Sequence, residues 1–197
     1  MVIGIPKERK IDEYRVGITP EGVGLLVSDG HQVLVEQSAG IGSGISDHQY
    51  TTAGAVIMMS EEQLFEQAEL VVKVKEPTLA ECRLLRQRQI LFSYLHLATH
   101  RDVMDALLEK NISAIGYETV QLPDGSLPLL IPMSEIAGRL SVQIGASFLQ
   151  KQHGGKGCLL SGASGASPGH VAILGSGVVG SNAAMIAIGL GARVTIL

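Results

Sequence analysis

The chain has 197 residues, of which 46% are hydrophobic, 17% are charged and 24 are glycine. This composition excludes a disordered chain and is typical of an α/β protein with buried strands and many tight turns. The net charge is -4 at pH 7, and no run of Lys or Arg could neutralise a phosphate backbone, which excludes nucleic acid as a partner. We expect a small-molecule ligand instead.

Membrane insertion and metal binding are not expected either. No apolar segment reaches the length of a membrane span, and the first residues, MVIGIPKERK, have the reverse order of a secretion signal. The cysteines at positions 82 and 158 lack metal-ligand spacing and have no His/Asp cluster beside them. The sequence therefore predicts a cytoplasmic protein without a metal site.

Short β-rich segments alternate with helical patterns over roughly the first 120 residues. Strands are predicted at 2–6, 31–37, 55–59, 70–77, 89–96 and 112–118. Thr19, Ser60 and Thr99 are the predicted N-caps of three of the intervening helices. This alternation predicts βαβ units around a parallel sheet, and hence an α/β, Rossmann-like fold.

The alternation ends at the segment QLPDGSLPLLIP, where three prolines and an Asp-Gly turn precede a long helical pattern over 134–152. We place the domain boundary here. Residues 1–132 would form a substrate-binding and catalytic domain, and residues 133–197 a linking helix and the first βαβ unit of a second domain. The Gly/Ser-rich loop at 154–169 is either an interface or cofactor-side loop, or a flexible surface connection.

Three glycines near the end of the chain, Gly175, Gly177 and Gly180, fit the pattern G-x-G-x-x-G between the strand HVAILG and a helical segment. In a dinucleotide-binding βαβ unit the first glycine allows a tight turn and the second lets the backbone approach a pyrophosphate. The third lets helix and strand pack closely. The pattern predicts a dinucleotide site, and the alternative is that these glycines merely form a tight corner.

Dinucleotide sites also need an acidic residue roughly 20 positions further on, at the end of the second strand, to bind the ribose. Here that position would be the first one after Leu197. Two strands of a Rossmann sheet cannot bury their own faces. We therefore expect the chain to be a fragment, truncated at the start of its Rossmann nucleotide-binding domain.

Polar residues at the carboxyl ends of parallel strands are candidate ligand contacts. Arg15 lies in the loop after the first strand, and Lys75 and His96 end two later strands. A guanidinium, an ammonium and an imidazole together suit a small 2-oxo or 2-amino acid. Alternatives stay open: Arg15 as a solvated charge, Lys73 as the important lysine of its strand, and His96 as a structural histidine.

In order along the chain, the segments GIPKERKIDEYRVGITP, VKVKEP, YLHLA, PMSEIAGRLS and ILGSGVVGSNAA resemble NAD-dependent alanine dehydrogenases. The resemblance covers all 197 residues and about the first half of such an enzyme. It implies reversible deamination of L-alanine to pyruvate and ammonia, with Arg15 binding the substrate carboxylate, Lys75 binding and polarising the substrate, and His96 transferring protons. It also implies a homohexamer and contacts to NAD from Ser134, Val178 and Val179.

Two departures from the family pattern are visible, the segment SGASGAS in place of a Gly-Val-Pro-Gly-Val loop and Ser176 in place of a glycine. The catalytic aspartate and the ribose-binding acidic residue of the family would both follow Leu197, so we expect no alanine turnover from this chain alone. One rival hypothesis is the nucleotide-binding subunit of a proton-translocating transhydrogenase, although YLHLA disfavours it. Another is a non-catalytic, truncated protein.

Overall fold

The computed structural model describes all 197 residues, Met1 to Leu197. They form two compact units, Met1–Val120 and Gln121–Leu197. The first unit contains a six-stranded sheet and the second a two-stranded sheet. Every strand pairing within both sheets is parallel. The predicted α/β class and the predicted alternation of strands and helices are therefore confirmed.

All six strands predicted for the first unit are present, each shorter than its apolar segment. They are β1 (Val2–Ile5), β2 (Gln32–Glu36), β3 (Val56–Met58), β4 (Leu70–Val72), β5 (Ile90–Ser93) and β6 (Ser113–Gly116). Their order in the sheet is β3-β2-β1-β4-β5-β6. Because the chain builds outward from β1 in both directions, β1 and β4 flank the point where the strand order reverses. In such sheets ligands bind beyond the carboxyl ends of the strands at this point.

Five helices connect these strands. They are α1 (Pro20–Ser28), α2 (Asp47–Thr52), α3 (Glu61–Gln67), α4 (Leu79–Leu84) and α5 (Arg101–Glu109). Thr19 and Ser60 cap α1 and α3 through their side chains, as predicted. The prediction for Thr99 is wrong: His100 is the N-cap of α5, without a side-chain bond. The Thr99 hydroxyl instead donates to the His96 carbonyl at 2.9 Å.

The helices cover both faces of the sheet. Along β2, Leu34 belongs to one hydrophobic cluster, whereas Val33 and Val35 belong to another. Successive side chains of a strand point to opposite faces, so these clusters lie on opposite sides of the sheet. The Leu34 cluster includes residues of α3, α4 and α5, and the other cluster includes residues of α1 and α2. Burial on both faces explains why these strands read as continuous apolar segments.

The second unit consists of α6 (Ile131–Phe148), β7 (His170–Ile173), α7 (Val178–Gly189) and β8 (Arg193–Ile196). The helix α6 begins before the predicted position 134 and ends before 152. Residues 121–132, which the sequence analysis assigns to the first domain, lie in this second unit. They are continuous with α6, because the Leu127 carbonyl accepts hydrogen bonds from Leu130 and Ile131. No helix of either unit is long and apolar enough to cross a membrane.

Candidate active site

Arg15 lies in the loop between β1 and α1, on the carboxyl side of the sheet. Its guanidinium donates two hydrogen bonds to the Glu13 carboxylate, from Nε at 2.8 Å and from one Nη at 2.6 Å. The hydrogen bond from Arg15 is the main reason why the pKa of Glu13 lies below its ordinary value, and the charge of Lys75 lowers it further. Arg15 is therefore held by a partner rather than only solvated, and Lys75 is close enough to act on the same carboxylate.

The two lysines that follow β4 have different environments. The Lys73 side chain is 1% exposed and forms ion pairs with Glu8, at 3.5 Å, and with Glu81. Lys75 is partly exposed. Because β4 ends at Val72, the alternation that would put both lysines on one face no longer applies at Lys75. Lys73 is a buried structural charge, and Lys75 is the one that a ligand can reach.

Glu8, which pairs with the buried Lys73 ammonium, also contacts the backbone at Lys75. Its carboxylate accepts hydrogen bonds from the N–H groups of Val74, at 2.6 Å, and Lys75, at 3.4 Å. Burial raises the pKa of Glu8, and this effect outweighs the lowering by Lys73 and by the two N–H groups. Glu8 thus joins the segment after β1 to the segment after β4.

His96 lies three residues beyond the end of β5 and has an unusual backbone conformation. Its φ is +46°, in the left-handed region, where a residue with a Cβ costs on the order of 1–3 kcal/mol. The Glu118 carboxylate accepts its N–H at 2.8 Å and that of Leu95 at 3.1 Å. A non-glycine residue stays in this region only where the surrounding contacts hold it there. The side chain of His96 itself is exposed.

Tyr94 connects the surroundings of Arg15 with those of His96. The rings of Tyr94 and His96 are stacked, with centroids 6.1 Å apart and 12° between their planes. Burial is the main reason why the pKa of Tyr94 is raised, and the charges of Arg15 and Glu118 act on the hydroxyl in opposite directions. Tyr94 therefore lies within electrostatic range of groups from both the β1 and the β6 side of the sheet.

These contacts place Arg15, Lys75 and His96 at one edge of the sheet, after β1, β4 and β5. Arg15 lines a cavity of about 270 Å³ together with Glu8 and Glu13. His96 lines a second cavity of about 410 Å³ together with Glu118. Lys75 is part of neither lining. The structure thus brings the three predicted residues to the same edge but distributes Arg15 and His96 over two neighbouring recesses.

The glycine turn of the second unit combines a tight corner with open space at the start of α7. Gly175 has φ of +98°, which favours glycine. A Cβ on Gly180 would lie 1.9 Å from the Gly175 carbonyl oxygen, so only glycine lets α7 start this close to the turn. A Cβ on Gly177 would meet nothing within 4 Å. Packing therefore does not require glycine at 177, which leaves room for a ligand at the N-terminus of α7.

All six residues predicted to bind the cofactor line one cavity of about 650 Å³ in the second unit. They are Ser134, Gly175, Gly177, Val178, Val179 and Gly180. Ser134 comes from the first turn of α6, and the others come from the turn before α7 and from its first residues. Gly138 explains why α6 can lie beside α7, because a Cβ there would be 2.3 Å from the Val179 carbonyl oxygen. The structure thus brings the six residues together around one cavity.

The sequence analysis missed four side chains of the first unit: Glu8, Glu13, Tyr94 and Glu118. Three of them follow the carboxyl ends of β1, β5 and β6. The rule that selected Lys75 and His96, polar residues after parallel strands, applies equally to them. Glu13 lies two residues before Arg15, and no local pattern distinguishes it from the other charges of that loop.

Two family models match the chain in sequence order. Residues 4–137 match "Alanine dehydrogenase/PNT, N-terminal domain", and residues 141–197 match "Alanine dehydrogenase/PNT, C-terminal domain". The chain belongs to the alanine dehydrogenase/PNT family. The resemblance inferred from the sequence motifs is therefore confirmed at the level of the family, whose two models meet within α6.

Individual members of the alanine dehydrogenase/PNT family are similar to this chain over its whole length. The alanine dehydrogenase of Methanococcus maripaludis is 56% identical over all 197 residues, which cover 53% of that protein. A solved structure of an L-alanine dehydrogenase is 54% identical, with a TM-score of 0.92, and the chain covers 54% of it. The chain thus spans about half the length of these relatives. A transhydrogenase structure from Sinorhizobium meliloti, at 24% identity and a TM-score of 0.81, shares the fold.

Proposed function

We propose that the complete protein carrying this chain is an NAD-dependent L-alanine dehydrogenase, which reversibly deaminates L-alanine to pyruvate and ammonia. The observation that carries the proposal is the position of Arg15, Lys75 and His96 at the carboxyl edge of the sheet, after β1, β4 and β5. Two cationic groups and an imidazole suit the carboxylate and the carbonyl of a small 2-oxo acid. Membership of the alanine dehydrogenase/PNT family supports the same reaction.

Each of the three residues has a distinct part in this chemistry. Arg15 binds the substrate carboxylate through its planar guanidinium, whose orientation Glu13 holds. Lys75 places its positive charge beside the carbonyl oxygen of pyruvate and stabilises the negative charge that develops there when ammonia adds. His96 gives a proton to this oxygen, and takes it back in the reverse direction, as the carbinolamine forms and breaks.

The second unit would hold NAD at the N-terminus of α7. The turn at Gly175 and the open space at Gly177 fit a pyrophosphate, because the first N–H groups of a helix have no acceptor within the helix. We propose Ser134, Val178 and Val179 as further contacts of the dinucleotide. When bound, NAD supplies the hydride acceptor for alanine oxidation.

The direct test uses the complete protein with L-alanine and NAD, and then pyruvate, ammonia and NADH in the reverse direction. We expect the NADH absorbance to rise in the first assay and to fall in the second. A protein that instead moves hydride between two nicotinamide nucleotides, and ignores alanine, would be a transhydrogenase. A protein inactive in every one of these assays would support the non-catalytic alternative.

Replacing Arg15 by lysine should raise the KM for pyruvate at least about tenfold, because a point charge replaces a planar fork that makes charge-assisted hydrogen bonds. The kcat should change less than the KM. The comparison is made by steady-state kinetics in the complete protein. Arg9→Lys is the matched control, because Arg9 lies in the same loop but pairs with Glu36 and Glu61. An unchanged KM in Arg15→Lys would remove Arg15 from the substrate site.

We also propose that the complete protein is cytoplasmic and forms a homohexamer. Both properties follow from the resemblance to alanine dehydrogenases. Light scattering coupled to gel filtration measures the assembly directly, since a hexamer would have six times the mass of the encoded chain.

A further inference from the structure

Two carboxylates at the edge of the sheet make the same kind of contact. Glu8 accepts the consecutive N–H groups of Val74 and Lys75, at 2.6 and 3.4 Å. Glu118 accepts those of Leu95 and His96, at 3.1 and 2.8 Å. In each pair the second amide belongs to a residue of the candidate active site. Both carboxylates come from the strand beside the one they hold, Glu8 after β1 and Glu118 after β6.

The chain needs such acceptors at this place. Where β4 and β5 end, a backbone hydrogen bond still joins the N–H of Tyr94 to the Val74 carbonyl at 3.1 Å. Around this bond, the amides of Val74, Lys75, Leu95 and His96 have no backbone carbonyl as acceptor, and the two carboxylates accept them instead. A buried N–H without an acceptor is costly, and a carboxylate makes a stronger acceptor than a carbonyl group.

The residues next to Glu118 leave room for its carboxylate to reach the amides of Leu95 and His96. A Cβ on Gly116 would lie 3.1 Å from the Glu118 Oε2 atom, so the glycine at the end of β6 lets the carboxylate turn back toward β5. On the other side of His96, the N–H and the hydroxyl of Thr99 both donate to the His96 carbonyl, at 3.0 and 2.9 Å. The backbone of His96 is thus held at both its N–H and its carbonyl, in a conformation with positive φ.

We propose that Glu8 and Glu118 are positioning residues of the active site, which fix the backbone at Lys75 and His96 respectively without contacting the substrate. This inference rests on the proposed function, because it assigns Lys75 and His96 the parts described above. Each carboxylate acts through hydrogen bonds to main-chain amides, so its effect on the reaction is to hold a side chain in place.

The environments of the Glu8 and Glu118 carboxylates favour a positioning role over proton transfer to the substrate. The side chain of Glu8 is 2% exposed, and its carboxylate is already engaged by Lys73 and by two main-chain amides. Burial alone would raise the pKa of Glu118, but hydrogen bonds from the backbone N–H groups of His96, Glu118 and Leu95, together with the charge of His96, outweigh it, and the pKa lies below its ordinary value. Glu118 is therefore ionised at neutral pH and remains a hydrogen-bond acceptor.

The test compares Glu118→Ala with Glu118→Gln in the complete protein. Alanine removes the acceptor, whereas glutamine keeps a carbonyl oxygen for the two amides. We expect Glu118→Ala to lower kcat about 10- to 100-fold, as displacement of a catalytic side chain does, with the KM for pyruvate changed less than about threefold. We expect Glu118→Gln to recover most of this loss. Equal losses in both variants would overturn the proposal, since they would show that the charge itself is needed.

Amide hydrogen exchange gives a readout that does not depend on activity. In Glu118→Ala the amides of Leu95 and His96 should exchange at least about tenfold faster, while peptides from the rest of the sheet keep the wild-type rate. Unchanged exchange at these two amides, or faster exchange throughout the sheet, would contradict the proposal. This measurement also separates the proposed alanine dehydrogenase function from the positioning role of Glu118. If the wild-type protein did not turn over alanine, the proposed function would be refuted, but the exchange rates would still show whether Glu118 holds the backbone at His96.

Glu69→Ala is the matched control. The Glu69 carboxylate accepts the N–H of Val2 at 2.6 Å, but at the amino edge of the same sheet, so this variant should keep wild-type kinetics.

Glu8→Ala and Glu8→Gln provide an independent check, because both variants lose the charge that pairs with Lys73 and only glutamine keeps an oxygen for the amides of Val74 and Lys75. Since Lys75 is proposed to stabilise the charge that develops on the carbonyl oxygen, Glu8→Ala should have a kcat/KM for pyruvate about tenfold lower than that of Glu8→Gln. Equal kcat/KM values in Glu8→Ala and Glu8→Gln would contradict the assignment of Glu8 to Lys75.

Discussion

Replacing His96 by alanine should lower kcat for both directions of the alanine reaction at least about 100-fold, the usual contribution of acid–base catalysis. The imidazole lies at the end of β5, stacked beside Tyr94, and its backbone is held by Glu118. In the proposed mechanism, loss of the ring removes the proton-transferring group and leaves Arg15, the proposed ligand of the substrate carboxylate, in place. Steady-state kinetics of the complete protein measure the effect.

Two further variants make the result interpretable. His96→Asn tolerates the left-handed conformation better than alanine, so an equal loss in both variants assigns the effect to the imidazole and not to the backbone. His48→Ala is the control for a histidine elsewhere in the fold, because His48 is exposed on α2. Turnover close to that of the wild type in both His96 variants would exclude His96 as the proton-transferring group.

Replacing Lys73 by methionine should destabilise the fold by about 3–5 kcal/mol, because removal of one partner leaves buried charges without compensation. Lys73 is 1% exposed, and Glu8 and Glu81 are each 2% exposed. The free energy of unfolding, from denaturant titration of the complete protein, measures the loss. Lys75→Met is the control: with Lys75 partly exposed, its stability should change by less than about 0.5 kcal/mol, while pyruvate binding weakens.

The destabilisation of Lys73→Met should depend on pH in a defined direction. Burial raises the pKa of Glu8 in the folded protein above its ordinary value of 4.5, and Lys73 lowers it. Without Lys73 this pKa rises further, so the folded state favours the protonated carboxyl group, and the loss of stability is greatest at pH values above the folded pKa. The loss should shrink as the pH falls toward 4.5. A loss of equal size at pH 4 and pH 7 would contradict the buried-charge explanation.

Much of the fold could be predicted from the sequence because its signals are local. Strands buried on both faces give continuous apolar segments, and all six strands of the first unit lie within the predicted ranges. The positions of Arg15, Lys75 and His96 followed from one topological rule, that ligands lie beyond the carboxyl ends of parallel strands. The glycine pattern predicted a turn whose close approach between Gly175 and Gly180 is present.

The features that could not be predicted depend on contacts between distant parts of the chain. Lys73 and Lys75 look equivalent in the sequence, and the difference arises because Glu8, 65 residues earlier, and Glu81 enclose Lys73. Threonine is a common N-cap residue, but the Thr99 hydroxyl donates a hydrogen bond to the carbonyl of His96 instead of capping α5. Likewise, the acceptor of the His96 N–H is a carboxylate 22 residues away, which no local propensity reveals.

The central position of β1 has a consequence for synthesis on the ribosome. This strand is made first, and it pairs with β2 on one side and with β4 on the other. At 5–20 residues per second, roughly 3–13 s pass between the synthesis of Ile5 and that of Leu70. During this interval β2 and then β3 are synthesised and can associate with β1, but the edge of β1 that later receives β4 has no partner. Nascent chains stalled before Leu70 would therefore expose an apolar strand edge, the surface at which aggregation starts and chaperones bind.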